Sequence, residues 1–373
     1  MQDKLRVIIS GGGTGGHVFP AIAIADAIRA IVPESVFLFV GAAGRMEMER
    51  VPAAGYEIVG LWISGFQRSL TWRNLLFPVK LLHSWWAARR IVRRFRPSLV
   101  IGVGGYASGP VLRAGIAAGV PSVLQEQNSF PGVTNRILAR KADLVCVAYE
   151  GMERYFAARK IRLTGNPIRA ALLSDLASKR SEAFRHFELD PSRRTVFLFG
   201  GSLGARSMNE AMANGEALLA QHPDVQVIWQ CGKSGYDRFA ATGTARLGNI
   251  RLHAFIDRMD LAYAAADVVV ARAGALSISE LCLVGKPAVL VPSPYVAEDH
   301  QTKNAQALVD KGAALLVPDA AAAASLLPTV LSLLPDIRKQ ADLGERIRMM
   351  SRPDAAREIA AAAIELARTK GKR

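Results

Sequence analysis

Apolar residues in this chain come in short, nearly unbroken runs, separated by stretches whose apolar positions recur every three or four residues. The runs fall at 6–10, 36–40, 56–59, 99–101, 122–125 and 144–147, then at 195–199, 226–229, 268–270, 288–291 and 314–317. Runs without polar alternation fit strands covered on both faces, as in a parallel sheet with helices above and below. Residues 21–31 and 78–95 carry the helical period. Two consecutive strand–helix series predict an α/β protein with two doubly wound parallel sheets. Asn166-Pro167 stands between the series. A residue before proline avoids the helical region, so the hinge is expected there, with domains at 1–165 and 166–345. Segment 354–370 has an Asp cap and an Ala-rich helical pattern with no strand after it, and closes one domain or the other.

A length of 373 residues agrees with two domains. Charge adds more. Lys plus Arg number 47 against 32 Asp plus Glu, a net charge of +15. Residues 1–165 hold 21 basic and 10 acidic side chains, so most of the excess sits in the first half. Between Ile58 and Gln125 there is no acidic residue at all. A face this one-sided calls for an anionic partner. Within it, Trp72, Leu75, Leu76 and Trp86 lie among cations that include Lys80, Arg89 and Arg90. Apolar side chains ringed by positive charge suit the headgroup layer of an anionic membrane. Leu81, Trp85, Ala88, Val92 and Phe95 form a separate stripe that is expected to face the core. A nucleic-acid partner fits less well, because aromatic residues are scarce and no RNA-binding signature occurs. Cys146, Cys231 and Cys282 lie far apart with no CxxC pair. That argues against a disulfide scaffold and a structural zinc site, and fits a reducing cytoplasm. Neither a secretory leader nor an apolar run of about 18 residues is expected, so any membrane contact should be peripheral.

Three glycine clusters each follow a strand. The first, Gly11-Gly12-Gly13-Thr14-Gly15-Gly16-His17, contains the spacing G-x-G-x-x-G. Such a loop lets backbone N–H groups approach anionic oxygens at a helix N-terminus. A dinucleotide enzyme also needs an acid at the end of the second strand to hold a ribose. Here that strand ends Val40-Gly41-Ala42-Ala43, which weakens the nicotinamide reading. The second cluster spans 102–109 and the third is Gly200-Gly201-Ser202-Leu203-Gly204. Each run alone is equally compatible with a tight strand-to-helix turn. Three together, at the carboxyl ends of two sheets facing across a cleft, suggest a ligand held between domains.

In the second half, Arg272-Ala273-Gly274-Ala275-Leu276-Ser277-Ile278-Ser279-Glu280 leads from a strand into a helix. Its N-terminus, worth roughly half a positive charge, can face a diphosphate. Glu280, a turn further in, suits two vicinal hydroxyls of a ribose, or else only the helix dipole. Gln301 and Asn304 are three apart and share a helical face, as sugar ligands or as a polar surface.

Seven segments, Gly12 to His17, 102–109, Gln125-Glu126-Gln127-Asn128, Gly165-Asn166-Pro167-Ile168-Arg169, 200–206, 272–280 and 301–305, appear in the order seen in MurG enzymes. The chain thus resembles the family of bacterial UDP-N-acetylglucosamine transferases of peptidoglycan synthesis, which are GT-B glycosyltransferases. The likeness spans nearly the whole chain. It departs at Leu203 and Thr302, where some members carry Gln.

The resemblance implies an inverting transfer of N-acetylglucosamine from UDP to the C4 hydroxyl of the N-acetylmuramyl sugar of lipid I, giving lipid II. No metal or other cofactor is implied, because helix dipoles and backbone N–H groups stabilise the departing diphosphate. The second domain is expected to hold the donor: Arg169 and Ser202 at the phosphates, Ile256 at uracil through its backbone, and Ala275, Leu276, Ser277, Ile278, Ser279 and Glu280 at phosphate and ribose. Gln301 and Asn304 are expected at the sugar. From the first domain, Thr14, Gly15, Gly16 and Asn128 complete the donor site, and Gly104, Gly105 and Tyr106 meet the acceptor. The helix 354–370 is expected to pack back on that domain. Two residues compete for the role of general base, His17 and Glu126. The enzyme is expected at the cytoplasmic face of the membrane. A soluble enzyme of the same fold, such as a 2-epimerase using UDP-N-acetylglucosamine, is the alternative.

Overall fold

The fold comes from a computed structural model, which describes residues 4–63, 77–168, 175–201 and 204–370. The chain divides into two compact units, Met1–Ile168 with Arg352–Arg373, and Arg169–Ser351.

Unit 1 holds seven strands: β1 (Arg6–Ser10), β2 (Val36–Ala42), β3 (Ile58–Leu61), β4 (Leu99–Gly102), β5 (Ser122–Glu126), β6 (Leu144–Val147) and β7 (Ile161–Leu163). All pair in parallel, in the order β3-β2-β1-β4-β5-β6-β7. Alternate residues feed two cores. Val7, Ile9, Phe39 and Ile101 enter one beside α1 (Gly15–Ile31), while Ile8, Val40, Val100 and Leu124 enter the other. That period of two is why unbroken apolar runs mark strands covered on both faces. The helices that follow are α2 (Glu47–Ala53), α3 (Phe77–Phe95), α4 (Ser108–Ala117) and α5 (Val133–Ala139). The last helix of the chain, Ala355–Lys370, packs on α1 and buries Ile359, Ala360 and Ala363 completely.

Unit 2 repeats the plan with β8 (Arg194–Phe199), β9 (Val225–Gln230), β10 (Ile250–His253), β11 (Val268–Ala271), β12 (Ala288–Leu290) and β13 (Leu315–Leu316). Their order is β10-β9-β8-β11-β12-β13, again all parallel. In each sheet the strand order reverses once, between β1 and β4 and between β8 and β11. Ligands of open α/β sheets bind outside the carboxyl ends of the strands at such a switch point.

Several expectations need correction. Two edge strands, β7 and β10, escape the pattern, because β7 has three residues and β10 alternates Ile, Arg, Leu and His with one face half-exposed. β3 starts at Ile58, not Tyr56. The Tyr56 ring packs edge-on against Phe37 at 5.4 Å, so its apolar character reflects burial beside the strand. In α3, Leu81 is exposed and Ser84 is buried, its hydroxyl donating to Trp62 O at 3.0 Å. The core-facing stripe therefore begins at Ser84 and continues through Ala88 and Val92, because the first turns of α3 run past the core.

Candidate functional site

The first and second glycine clusters follow β1 and β4, the two strands at the switch point of unit 1. They touch through bare backbone. A Cβ on Gly105 would stand 2.3 Å from Gly12 O, and Gly105 itself has φ +83°. Thr14 caps α1 in an extended conformation. Its hydroxyl lies 3.2 Å from His17 Nδ1. The other side of the His17 ring faces the second cluster, where a Cβ on Gly104 would come within 2.9 Å of Nε2. Gly15 and Gly16 form the first turn of α1, and Tyr106 stands half-exposed beside Gly105. His17, Thr14, Gly104, Gly105 and Tyr106 are thus gathered at one place.

Beneath this loop is a residue that sequence reasoning passed over. Glu47 is fully buried, and its carboxylate accepts from Gly13 N at 3.0 Å and from Ala42 N at 2.9 Å. A Cβ on Gly12 would stand 2.1 Å from the same carboxylate. The loop therefore rests on an internal carboxyl group that already uses one of its N–H groups. Nothing in the local pattern separates Glu47 from its neighbour Glu49. The only signal is the pair of glycines, Gly12 and Gly41, that leave it room.

Glu126, at the end of β5, is buried. It accepts from Asn128 N at 3.0 Å, Asn128 Nδ2 at 3.2 Å and Asn135 Nδ2 at 2.7 Å. Burial pushes its carboxyl up, and those hydrogen bonds, with another from the Gly132 backbone, oppose the rise. Its geometry is that of a brace for the turn from β5 to α5. Next to it, Gln125 donates to Asn166 Oδ1 at 3.0 Å, Asn166 donates to Gln127 O at 3.0 Å, and Gln127 donates to Val103 O at 2.6 Å. This amide chain ties β5, the second glycine cluster and the end of unit 1 together.

In unit 2 the third cluster and the 272–280 turn follow β8 and β11, again at the switch point. Between them lies a cavity of about 650 Å³, whose walls include Gly201, Arg206, Arg272, Ser277 and Gln301. Gly274 caps the helix Ala275–Val284, whose first turn carries no acidic residue, so nothing within the helix offsets the positive end of its dipole. Arg272 is held by Asp319, by Ser207 Oγ at 3.1 Å and by Val291 O at 3.0 Å. Gln301 accepts from Ser293 N at 2.8 Å. Asn304 is fully buried and donates to Ala273 O at 3.4 Å, so it backs the turn from beneath. Ala275 and Leu276 are partly exposed in the first helical turn, Ile278 and Ile256 are buried, and Ser279 Oγ bonds back to Ala275 O at 2.9 Å. Glu280 is partly exposed, its Oε2 accepting from Tyr263 OH at 3.0 Å. Burial raises its carboxyl to about 7.

On α3, Val79, Leu82 and Trp86 are exposed along one face that continues into Arg89, Arg90 and Arg93. Lys80 lies over the Trp62 ring and Arg89 over Trp85. Among the described residues no single helix is long and apolar enough to cross a membrane. Arg169, Ser202, Trp72, Leu75 and Leu76 lie outside the described residues.

Comparison with known proteins converges. The glycosyltransferase family 28 N-terminal domain matches residues 7–147, and the family 28 C-terminal domain matches 195–359. A crystal structure of MurG from Acinetobacter baumannii superposes with a TM-score of 0.78 at 28% identity, covering 97% of this chain and 99% of that one. A UDP-N-acetylglucosamine 2-epimerase superposes over all of this chain and 98% of its own, with a TM-score of 0.69 but 14% identity, which is likeness of fold alone. A UDP-N-acetylglucosamine–N-acetylmuramyl-(pentapeptide) pyrophosphoryl-undecaprenol N-acetylglucosamine transferase from Bacteroides thetaiotaomicron is 52% identical over 369 residues, 98% of this chain and 99% of its own. Sharing half its residues with that enzyme from end to end, and with both halves matched to family 28, the chain belongs to the family of UDP-N-acetylglucosamine–N-acetylmuramyl-(pentapeptide) pyrophosphoryl-undecaprenol N-acetylglucosamine transferases.

Proposed function

We propose that this protein transfers N-acetylglucosamine from UDP-N-acetylglucosamine to the C4 hydroxyl of the N-acetylmuramyl sugar of lipid I. The observation that carries the reading is 52% identity over 98% of the chain to an enzyme named for that transfer. In this reading the acceptor oxygen attacks the anomeric carbon while the bond to UDP breaks on the opposite side, which inverts the linkage. The hydroxyl proton goes to His17. With Nδ1–H donating to Thr14 Oγ1, Nε2 carries the lone pair that receives it. Charge on the departing diphosphate is met by the N-terminus of the helix Ala275–Val284, so the reaction needs no metal in this reading. Incubation with labelled UDP-N-acetylglucosamine and a lipid I analogue should give the disaccharide product. Conversion of the donor to its 2-epimer without any acceptor would overturn the assignment.

Glu280 is the proposed ligand of the donor's ribose. Glu280→Ala should raise the donor KM roughly 10- to 150-fold, the worth of a hydrogen bond to a charged group, with little change in kcat. Because burial lifts this carboxyl to about 7, it takes up a proton as pH falls through that value. A protonated acid accepts one hydroxyl fewer, so the parent's donor KM should rise below about pH 7 and that rise should be absent in Glu280→Ala. An unchanged donor KM would remove Glu280 from the site.

The acceptor carries a polyprenyl chain, so the enzyme must come to the bilayer. The exposed face of α3 is the proposed contact, together with Trp72, Leu75 and Leu76. Each Lys or Arg near an anionic surface contributes about 1 kcal/mol. Binding to vesicles containing anionic lipid should be salt-sensitive and should weaken in Leu82→Ser/Trp86→Ser. Activity on a water-soluble acceptor should survive. Equal vesicle binding by parent and variant would refute this contact.

A further inference from the structure

Tyr263 lies in the helix Met259–Ala265, between β10 and β11, and no part of it is exposed. Its ring is held edge-on by Phe197 at 5.5 Å and Phe199 at 6.0 Å, both from β8, the strand that feeds the third glycine cluster. A phenol clamped this way cannot turn its hydroxyl to water, so it must find an acceptor inside. The acceptor is Glu280 Oε2 at 3.0 Å, on the neighbouring helix.

The carboxylate is the more informative partner. Two carboxylate oxygens can accept about four hydrogen bonds. Among the described residues Glu280 has one, from Tyr263. Glu280 is partly exposed, so its remaining acceptor positions are open to water or to a ligand's donors. Glutamate also has three side-chain torsions, and a bond from a rigid ring removes much of that freedom before any ligand arrives.

We propose that Tyr263 is a positioning residue of the donor site: its hydroxyl holds one oxygen of Glu280 so that the other is presented to the two vicinal hydroxyls of the donor's ribose. The proposal rests on the reading of Glu280 as the ribose ligand. Tyr263 thereby contributes to the choice of ribonucleotide over deoxyribonucleotide donors without touching the sugar.

Tyr263→Phe keeps the ring and its packing and removes only the hydroxyl. The test compares UDP-N-acetylglucosamine with its 2′-deoxyuridine counterpart in the parent, Tyr263→Phe and Glu280→Gln, and adds a direct titration with UDP. Tyr263→Phe should raise KM for the ribose donor about 5- to 10-fold with kcat within twofold of the parent. It should erode the preference over the deoxy donor by the same factor and weaken UDP binding in parallel. A purely structural tyrosine would affect both donors equally. If Tyr263→Phe retains the parent's preference while Glu280→Gln loses it, the positioning role is wrong and the ribose assignment stands. If Glu280→Gln also retains the preference, the ribose assignment fails and takes this proposal with it.

Discussion

Replacing His17 by alanine should lower kcat about 100-fold or more, the usual worth of a general base, while the donor KM stays near that of the parent. At saturating donor the acidic limb of the kcat–pH profile should vanish in the same variant, since the proposed base is gone. The geometry favours His17 over Glu126 for a simple reason. His17 is partly exposed and lies between the two glycine clusters, with one ring nitrogen beside Thr14 and the other toward Gly104. The Glu126 carboxylate is buried and already occupied by Asn128 and Asn135. Glu126→Ala should therefore act through the turn from β5 to α5, lowering Tm and raising the acceptor KM. If Glu126→Ala instead abolishes the acidic limb and His17→Ala affects acceptor KM alone, the two roles are exchanged.

Gly105→Ala should be comparably severe, cutting kcat/KM for the acceptor reaction about 100-fold, the size of loss that a displacement near 1 Å produces. The added carbon meets Gly12 O at 2.3 Å and Gly12 N at 3.0 Å, and no flexible side chain is there to yield. Residue 105 also adopts φ +83°, where a Cβ is strained by itself. Gly13→Ala isolates that second cost. At φ +90° a Cβ there meets nothing within 4 Å, so it should lose only the roughly 1–2 kcal/mol of left-handed strain. UDP titration of Gly105→Ala should match the parent, because the unit 2 cavity contains no part of this contact. Retained acceptor activity in Gly105→Ala would mean that the two clusters need not touch.

What was legible in the chain follows from these contrasts. Parallel strands buried on both faces leave unbroken apolar runs, so the two sheets could be read almost strand by strand. β10 could not, because an edge strand keeps Arg251 and His253 in its pattern. The glycine clusters were legible as loops, since only glycine tolerates their backbone approach. The side chains that brace them were not. Glu47 lies 34 residues from Gly13 and Tyr263 lies 17 from Glu280, and no local period marks a residue whose partner is supplied by another element. Gln301 and Asn304 share a helical face as expected, yet one lines the cavity and the other is buried beneath it. A face predicts direction, and depth depends on what the neighbouring turn covers.

The last helix carries a consequence for how the protein is made. Unit 1 is assembled from residues 1–168 and 352–373, so its core is completed only by a segment that follows all of unit 2 in the sequence. Until then the apolar face of α1 that Ile359, Ala360 and Ala363 will cover stays open, through the whole synthesis of unit 2. A chain halted before Arg352 holds every residue of unit 2 and a unit 1 that lacks this helix. Unit 1, although it begins first, is therefore the unit whose core closes second.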